Sequence, residues 1–410
     1  MTRTDLHKQL SEKLYLEDFG QIDIVLATMI ANKLEIGDPV WLMLVGASSG
    51  GKSQIMRPIA NATPDDTRRI DDLTENTFIS GQQGEKSLLF NVGTNVDGKR
   101  NATLLISDMT VIFSKGSETR NAILSQFRML FDGEFTKYFG NRDKLTWKGH
   151  MGIIAGSTPT AYSFFAEVAD MGERFIYYRI PEPDYKKASD FVSNNMRSAK
   201  ELDPVLEDLY KTYMSKVVRY GQDHKDIQLP ASTQKLIRDI SLCATKFRTP
   251  VKINDFHGVV SEMPVAEAPY RVMKQITCIA KSFHLMHQAD GGTGDLPLDL
   301  ARTLKWCAYS LASDRRRETY KAVRDLDDVT IRNISSYTGL DDMIVKRDLA
   351  ELCAIKVIKK DEYKLGSSNA YKWSTSDVEL EAMVDSLRLT KKVIDEEDEE
   401  DIDEDWGDLK

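Results

Sequence analysis

A short apolar run, Trp41 to Val45, feeds a glycine-rich turn, and the whole stretch reads WLMLVGASSGGKS. It matches G-x-x-x-x-G-K-[ST], which demands a buried strand, a tight loop and a helix in that order. Gly46, Gly50 and Gly51 allow backbone N–H groups, with that of Ser49 among them, to face a phosphate without Cβ clashes at the start of the helix that QIMRPIANA begins. Lys52 is placed to reach the β- and γ-phosphates, and the Ser53 hydroxyl suits Mg²⁺, a hard cation that keeps several waters and substrate oxygens. The plain alternative is a glycine-rich surface loop; the strand before it and the helix after it favour the phosphate site.

A chain of 410 residues is long for one core, so about two to three domains are expected. No apolar run approaches the ~18 residues of a membrane span, and MTRTDLHKQL has no secretory apolar core. A cytoplasmic protein without a membrane partner is expected. Cys243, Cys278, Cys307 and Cys353 are dispersed without a C-x-x-C pair, and the six histidines show no ligand spacing, so neither disulfides nor zinc are indicated.

The net charge of −9 is local in origin. Residues 395–410 carry eleven acids and one lysine, whereas residues 1–394 balance 54 basic groups against 53 acidic ones. DEEDEEDIDEDWGDLK cannot bury a core and repels itself, so a disordered tail is expected. It reads either as a solubilising end or as an interaction tail. In the second reading Trp406 and Leu409 dock on a protein partner while the carboxylates compete with DNA phosphates for a basic surface.

Residues 5–35 alternate polar and apolar positions at helical spacing and end in a Gly-Asp-Pro break, which predicts a helical lead-in over 1–36. Over the next 145 or so residues short apolar runs alternate with polar helical stretches, the pattern of an α/β parallel sheet. The expected strands are Trp41 to Val45, Leu104 to Ser107, Gly152 to Ala155 and Phe175 to Tyr178. TLLISD delivers Asp108 at a strand's carboxyl end, where open α/β sheets place their ligands, so Asp108 is a candidate for the Mg²⁺ water shell. Met109 follows it, leaving the water-orienting task to Asp108 itself or to another acid such as Glu118. GIIAGSTP is a third apolar strand that ends in hydroxyls, Ser157 and Thr158, or else a strand with an ordinary proline-terminated turn. In GERFIYYRIP, Arg174 opens a strand and Arg179 lies near its end. An arginine there pairs with a surface acid or reaches a neighbouring subunit's site.

The series GASSGGKS, LLISDMT, GIIAGSTP and GERF, followed by APYRVMKQITCIAKSFHLM, resembles an AAA+ P-loop ATPase. Within that superfamily it is most similar to the minichromosome-maintenance-like and superfamily III helicases and to P-loop proteins of phages and mobile elements. The likeness spans roughly residues 20–290, and its P-loop is the specific part. It implies an AAA+ core over 37–182, ATP with Mg²⁺, and a ring of identical subunits. It also implies roles for residues: Lys52 and Ser53 in the first nucleotide motif, Asp108 in the second, Thr158 at a sensor position usually held by asparagine, Arg174 as an arginine finger and Arg271 as a second sensor. No familiar amino-terminal DNA-binding domain precedes the core.

The likeness also makes the segment between Asp108 and Gly152 informative, because related helicases carry there a hairpin that lines the pore. EFTKYF and KLTWKG are β-prone runs around the turn signal GNRD. Lys137, Arg142, Lys144 and Lys148 offer phosphate contacts, and Tyr138 and Trp147 offer stacking on bases. The alternative is a hairpin whose lysines only keep it soluble.

From Pro181 the pattern turns helical, resembling an enlarged AAA+ lid over 183–312. Residues 313–376 read as a winged helix, with RRRETYKAVRDL, VTIRNISSYTG and DDMIVKRDLAELCAIKVI followed by a two-run wing. Lys346 and Arg347 are offset by Asp341, Asp342, Asp348 and Glu351, which favours backbone contact over base reading; docking on a protein is the alternative. Residues 377–410 complete the chain as a helix and the acidic tail. The leading expectation is an oligomeric ATP-driven motor on single-stranded or forked DNA, a replicative helicase or initiator. The competing one is an ATP-dependent switch that loads a helicase, regulates transcription or scaffolds a defence complex without unwinding.

Overall fold

A computed structural model of the chain describes residues 1–48, 50–80, 87–94, 100–139, 144–164, 174–195, 197–254, 259–365 and 368–387. The chain is mixed α/β with a parallel central sheet. It separates into two compact units, one of residues 1–250 with 264–314 and one of residues 251–263 with 315–410. Of residues 183–312, expected as a lid, 183–250 and 264–312 fall in the unit that holds the sheet and 251–263 in the other.

In the first unit α1 (Arg3–Ser11) starts from a capping box in which Thr2 and Asp5 satisfy each other's backbone N–H groups. Arg3 and His7 both reach the buried Asp23 of α2 (Gly20–Leu34). α2 is apolar around nearly its whole circumference and buried from Gly20 to Asn32, as a helix enclosed by other elements must be. β1 (Trp41–Val45), α3 (Lys52–Ala62), β2 (Thr67–Ile70), β3 (Gly93–Thr94), β4 (Arg100–Ile106), α4 (Thr110–Phe113), α5 (Ser117–Phe131), β5 (Glu134–Tyr138), β6 (Lys144–Ser157) and β7 (Ile176–Arg179) follow.

Among the described residues the sheet has seven strands; five run parallel in the order β2-β4-β6-β1-β7, while β3 and β5 pair antiparallel on β4 and β6. Parallel strands need crossovers that cover both faces, which is why WLMLV is apolar at every position and buried throughout. Asn32 fixes α2 to the start of β1: its Nδ2 donates to Val40 O at 3.0 Å and its Oδ1 accepts the Val40 N–H at 2.8 Å. Gly152 on β6 makes room for that side chain, since a Cβ there would stand 2.1 Å from Asn32 Nδ2. Trp41 packs edge-on against Phe127 and Phe131 and donates its indole N–H to Met151 O at 2.7 Å.

The four expected strands are present, with β4 beginning at Arg100 and ending at Ile106, β6 longer at both ends, from Lys144 to Ser157, and β7 shifted by one residue. β2 had no counterpart in the sequence reading. Its TRRI holds two arginines because it is the edge of the parallel order, where one side of the strand meets solvent.

The chain then becomes helical: α6 (Tyr185–Asn194), α7 (Ala199–Asp223) and α8 (Ala231–Phe247) precede the small pair β8 (Ile253–Asn254) and β9 (Val259–Val260), and α9 (Tyr270–Ala289) and α10 (Leu298–Ser310) follow it. α3 is tied to α7 by Arg57, which donates to both Asp203 oxygens at 2.5 and 3.1 Å. No described helix is long and apolar enough to cross a membrane.

The second unit contains β8 and β9, then α11 (Asp314–Asp325) from Arg315 onward, α12 (Ile331–Thr338), α13 (Asp342–Ala354), the antiparallel pair β10 (Ile358–Leu365) and β11 (Ser368–Thr375), and α14 (Val378–Ser386). Ile334, Leu349 and Leu352 are buried, whereas Ile344 is exposed. The acids of α13 are used internally. Asp348 is buried and takes Arg315, and Glu351 takes Arg316 Nε at 2.8 Å and lies 3.8 Å from Arg347. β9 lies against α13, and the wing lysine Lys360 stands 3.5 Å over the Tyr371 ring. The acidic tail lies outside the described residues.

Candidate nucleotide site and hairpin

β1 ends at Val45 and releases the chain into the loop, which stays attached to the sheet because Gly46 N donates to Ser157 O at 3.1 Å. Gly50 N then closes a turn on Ala47 O at 3.0 Å. Gly51 caps α3 with φ of +78°, a left-handed conformation that only glycine adopts without strain. Ser49 lies outside the described residues.

Lys52 is the first residue of α3, and its amine donates to Gly46 O and Ala47 O, both at 2.8 Å. Partial burial pushes the Lys52 amine below its usual range, and the Asp108 carboxylate opposes that shift. The first turn of α3 holds no acid, leaving the positive end of the helix uncompensated, and Ser53 is exposed there. Curled lysine, exposed hydroxyl and acid-free helix start form a cradle that suits phosphate oxygens with a coordinated Mg²⁺.

The second motif strand, β4, delivers Asp108 exposed, with Oδ1 accepting the Thr110 N–H at 2.9 Å at the start of α4. Met109 is 0 % exposed and its N–H donates to Gly156 O at 2.7 Å. The position after Asp108 is thus a packing position, and a carboxylate there would sit in the core. Glu118 is in the first turn of α5.

Asp71, which the sequence reading passed over, leaves β2 beside these residues. Ser107 Oγ donates to Asp71 Oδ1 at 2.9 Å, and the Ser107 hydrogen bond foremost holds Asp71 below the usual carboxylate range. The signal was present in TRRIDD, an apolar residue followed by acids as in LLISD; the paired arginines hid the strand.

At the end of β6 the two hydroxyls separate. Ser157 is buried, with its Oγ unbonded among the described residues, while Thr158 is half-exposed and donates to Thr160 Oγ1 at 2.9 Å. Thr158 is the hydroxyl accessible at this edge.

The arginines fall at different places. Arg179 pairs in register with Val45, so it lies at the Lys52 end of the sheet, and its guanidinium is taken by Asp314 and by Glu182 at 3.2 Å. Arg174 precedes β7 and lies at the opposite end of the strands. Its guanidinium is 5.5 Å from the Phe131 ring centroid and 3.8 Å from Asp132 Oδ1, with 11 % of the side chain exposed. The fold therefore does not bring Arg174 to the Lys52 of its own chain. Arg271 is the second residue of α9 and half-buried.

β5 and the first part of β6 form the expected hairpin, with Tyr138 opposite Lys144 and Glu134 opposite Lys148. It springs from the amino end of β6, the end of the sheet away from Lys52. Tyr138 is 70 % exposed, and Lys144 Nζ stands 5.7 Å from its ring centroid. Lys148 pairs with Glu134 at 3.3 Å. Lys137 Nζ donates to Asn76 Oδ1 at 3.1 Å and Ile79 O at 3.2 Å, so it also holds the 76–79 loop. Trp147, expected as a stacking surface, is 1 % exposed and belongs to the core: its place on the pleat faces inward opposite Phe135. Arg142 lies outside the described residues.

Among the described residues no group of three or more His, Cys, Asp or Glu forms a metal cage. Mg²⁺ bound with a nucleotide takes one or two side chains and completes its shell with phosphate oxygens and water. No protein-family model matches the chain, and no curated protein matches it at a significant level.

Proposed function

We propose that the protein is an AAA+ ATPase that assembles into a ring of identical subunits and drives single-stranded or forked DNA through it, as a replicative helicase or initiator of a phage or mobile element acting in the cytoplasm. The observation that carries this reading is that the loop with Lys52 follows β1 and Asp108 follows β4 at the same, carboxyl end of the parallel sheet, with β6 between them. Two strand spacings separate β1 from β4, about 10 Å, which leaves room for a phosphate chain and its cation between the lysine and the carboxylate.

In this reading the loop from Gly46 to Gly51 offers N–H groups to the phosphates, Lys52 leaves its carbonyl partners for the γ-phosphate, and Ser53 and Asp108 hold Mg²⁺ and its water. The cation neutralises charge on the transferring phosphoryl group. Thr158 reads the state of the γ-phosphate from the sheet, whereas Arg271, one turn before the Gln275 that bonds Trp41 N and Arg174 O at the amino end of the sheet, acts with Arg174 on the site of the adjoining subunit. Arg174, remote from its own Lys52, serves the site of the adjoining subunit by leaving its seat over Phe131. The hairpin meets DNA through Tyr138, Lys144 and Lys148, with Arg142 added from the sequence. Residues 315–375 act as a winged helix, with α13 neutralised by its own acids and Lys359 and Lys360 of the wing facing the DNA backbone or a protein. The acidic tail recruits a protein partner.

A second reading, an ATP-dependent switch that loads or scaffolds other proteins, is favoured by one observation: Met109 is locked in the core, so no acid directly follows Asp108, an arrangement that suits a switch better than a motor. Strand displacement on forked DNA separates the two. Unwinding by the wild type that Lys52→Ala abolishes supports the motor; ATP binding without unwinding supports the switch.

A further inference from the structure

We propose that Asp71 is the carboxylate that orients the attacking water in this site, filling the task that Met109 does not perform. The inference rests on the nucleotide reading above and is argued from three placements.

The first is register. Ile70 of β2 lies opposite Ile106 of β4, so Asp71 and Ser107 leave neighbouring parallel strands side by side, at the same end of the sheet as the loop that follows Val45. The second is the hydrogen bond from Ser107 Oγ to Asp71 Oδ1 at 2.9 Å, joined on the same oxygen by Arg69 Nε at 3.1 Å. The third is the division between consecutive residues of the second strand's exit: Ser107 holds Asp71, Asp108 is exposed within electrostatic reach of Lys52, and Met109 is in the core. Two exposed carboxylates therefore stand at adjacent strand ends with one hydroxyl between them. Asp108, nearer Lys52, serves the Mg²⁺ shell, and Asp71, one strand further out, serves the water.

The chemistry of Asp71 fits orientation better than proton storage. Both donors sit on Oδ1, and the side chain is 69 % exposed, so it stays ionised and offers acceptor capacity to water. In the reaction the water oxygen bonds to the γ-phosphorus, the bond from that phosphorus to the β,γ-bridging oxygen breaks with its electron pair going to ADP, and the water proton leaves on inorganic phosphate. Asp71 has to fix the line of attack. Ser107 and Arg69 fix Asp71.

The experiment measures Mg·ATP affinity with a fluorescent ATP analogue and steady-state hydrolysis on the full chain. Asp71→Asn is expected to keep affinity within about threefold and to lower kcat by about 10²-fold, the range seen when one preorganised polar group is removed from a transition state. Asp71→Glu should restore part of kcat. Ser107→Ala, which leaves the carboxylate but releases it, should lower kcat by about 3- to 10-fold and serves as the reporter if Asp71→Asn does not fold. Wild-type kcat in both Asp71→Asn and Ser107→Ala overturns the assignment, as does a loss of kcat in Asp71→Asn that is matched by loss of ATP binding. If wild-type protein binds no ATP, the nucleotide reading itself falls, and the assignment with it.

Discussion

The two ends of the central sheet differ in how their side chains are held. At the carboxyl end, Lys52, Ser53, Asp108 and Thr158 sit on turns whose backbone is fixed by strand ends, a left-handed glycine and the start of a helix, and their functional atoms bond only to groups within six residues or stay exposed. At the amino end, two hairpin residues and the arginine before β7 are held by packing and long-range contacts: Trp147 in the core, Lys137 on the 76–79 loop, Arg174 over Phe131. Local geometry therefore governs the first region and tertiary burial the second, so the same type of substitution should act on chemistry at one end and on stability at the other.

The largest expected effect is at the carboxyl end. Lys52→Ala should lower ATP hydrolysis by about two to three orders of magnitude, since it removes charge stabilisation from the phosphoryl group, while urea unfolding moves by less than about 0.5 kcal/mol. Equal losses of activity and stability would erase the distinction. At the amino end Trp147→Ala should cost about 3–5 kcal/mol in the same unfolding titration, as for other large buried aromatics. A stability change near zero would show Trp147 to be outside the core.

A smaller effect is expected at Tyr138, whose exposed ring contributes little to folding. Tyr138→Ala should weaken single-stranded DNA binding by about 1–3 kcal/mol, the usual worth of one base–aromatic stack, with the unfolding midpoint unchanged. Smallest is a pH effect. Partial burial lowers the Lys52 pKa and Asp108 only partly opposes it, so the charged amine that attracts phosphate is complete below that lowered pKa and is lost as pH rises through it. Nucleotide affinity should therefore begin to decline at a pH below the ordinary lysine value of about 10.4, and Asp108→Asn should shift the decline to still lower pH. A decline that starts only above that value would contradict the burial of the amine.

The same contrast explains what could be read from the residues. Trp41 to Val45 and the loop after it were legible because strand, turn and helix start are specified within thirteen consecutive residues. The hairpin was legible as a hairpin, since GNRD separates two β-prone runs, yet the inward place of Trp147 depends on its partner Phe135 and on the core beneath. β2 was missed because an edge strand tolerates Arg68 and Arg69, and with it went Asp71, whose partner Ser107 lies 36 residues away. Residues 251–263 illustrate the same limit. They sit between two helices of the first unit in sequence and belong to the second unit in space, an association that no local pattern encodes.

The account stands or falls on communication between the two ends. Its most direct test is the rate of ATP turnover at saturating Mg·ATP as single-stranded DNA is added, in wild-type protein and in Tyr138→Ala. The account predicts that DNA raises wild-type turnover severalfold and that Tyr138→Ala requires about tenfold more DNA for the same rise. Turnover indifferent to DNA at every concentration would contradict it.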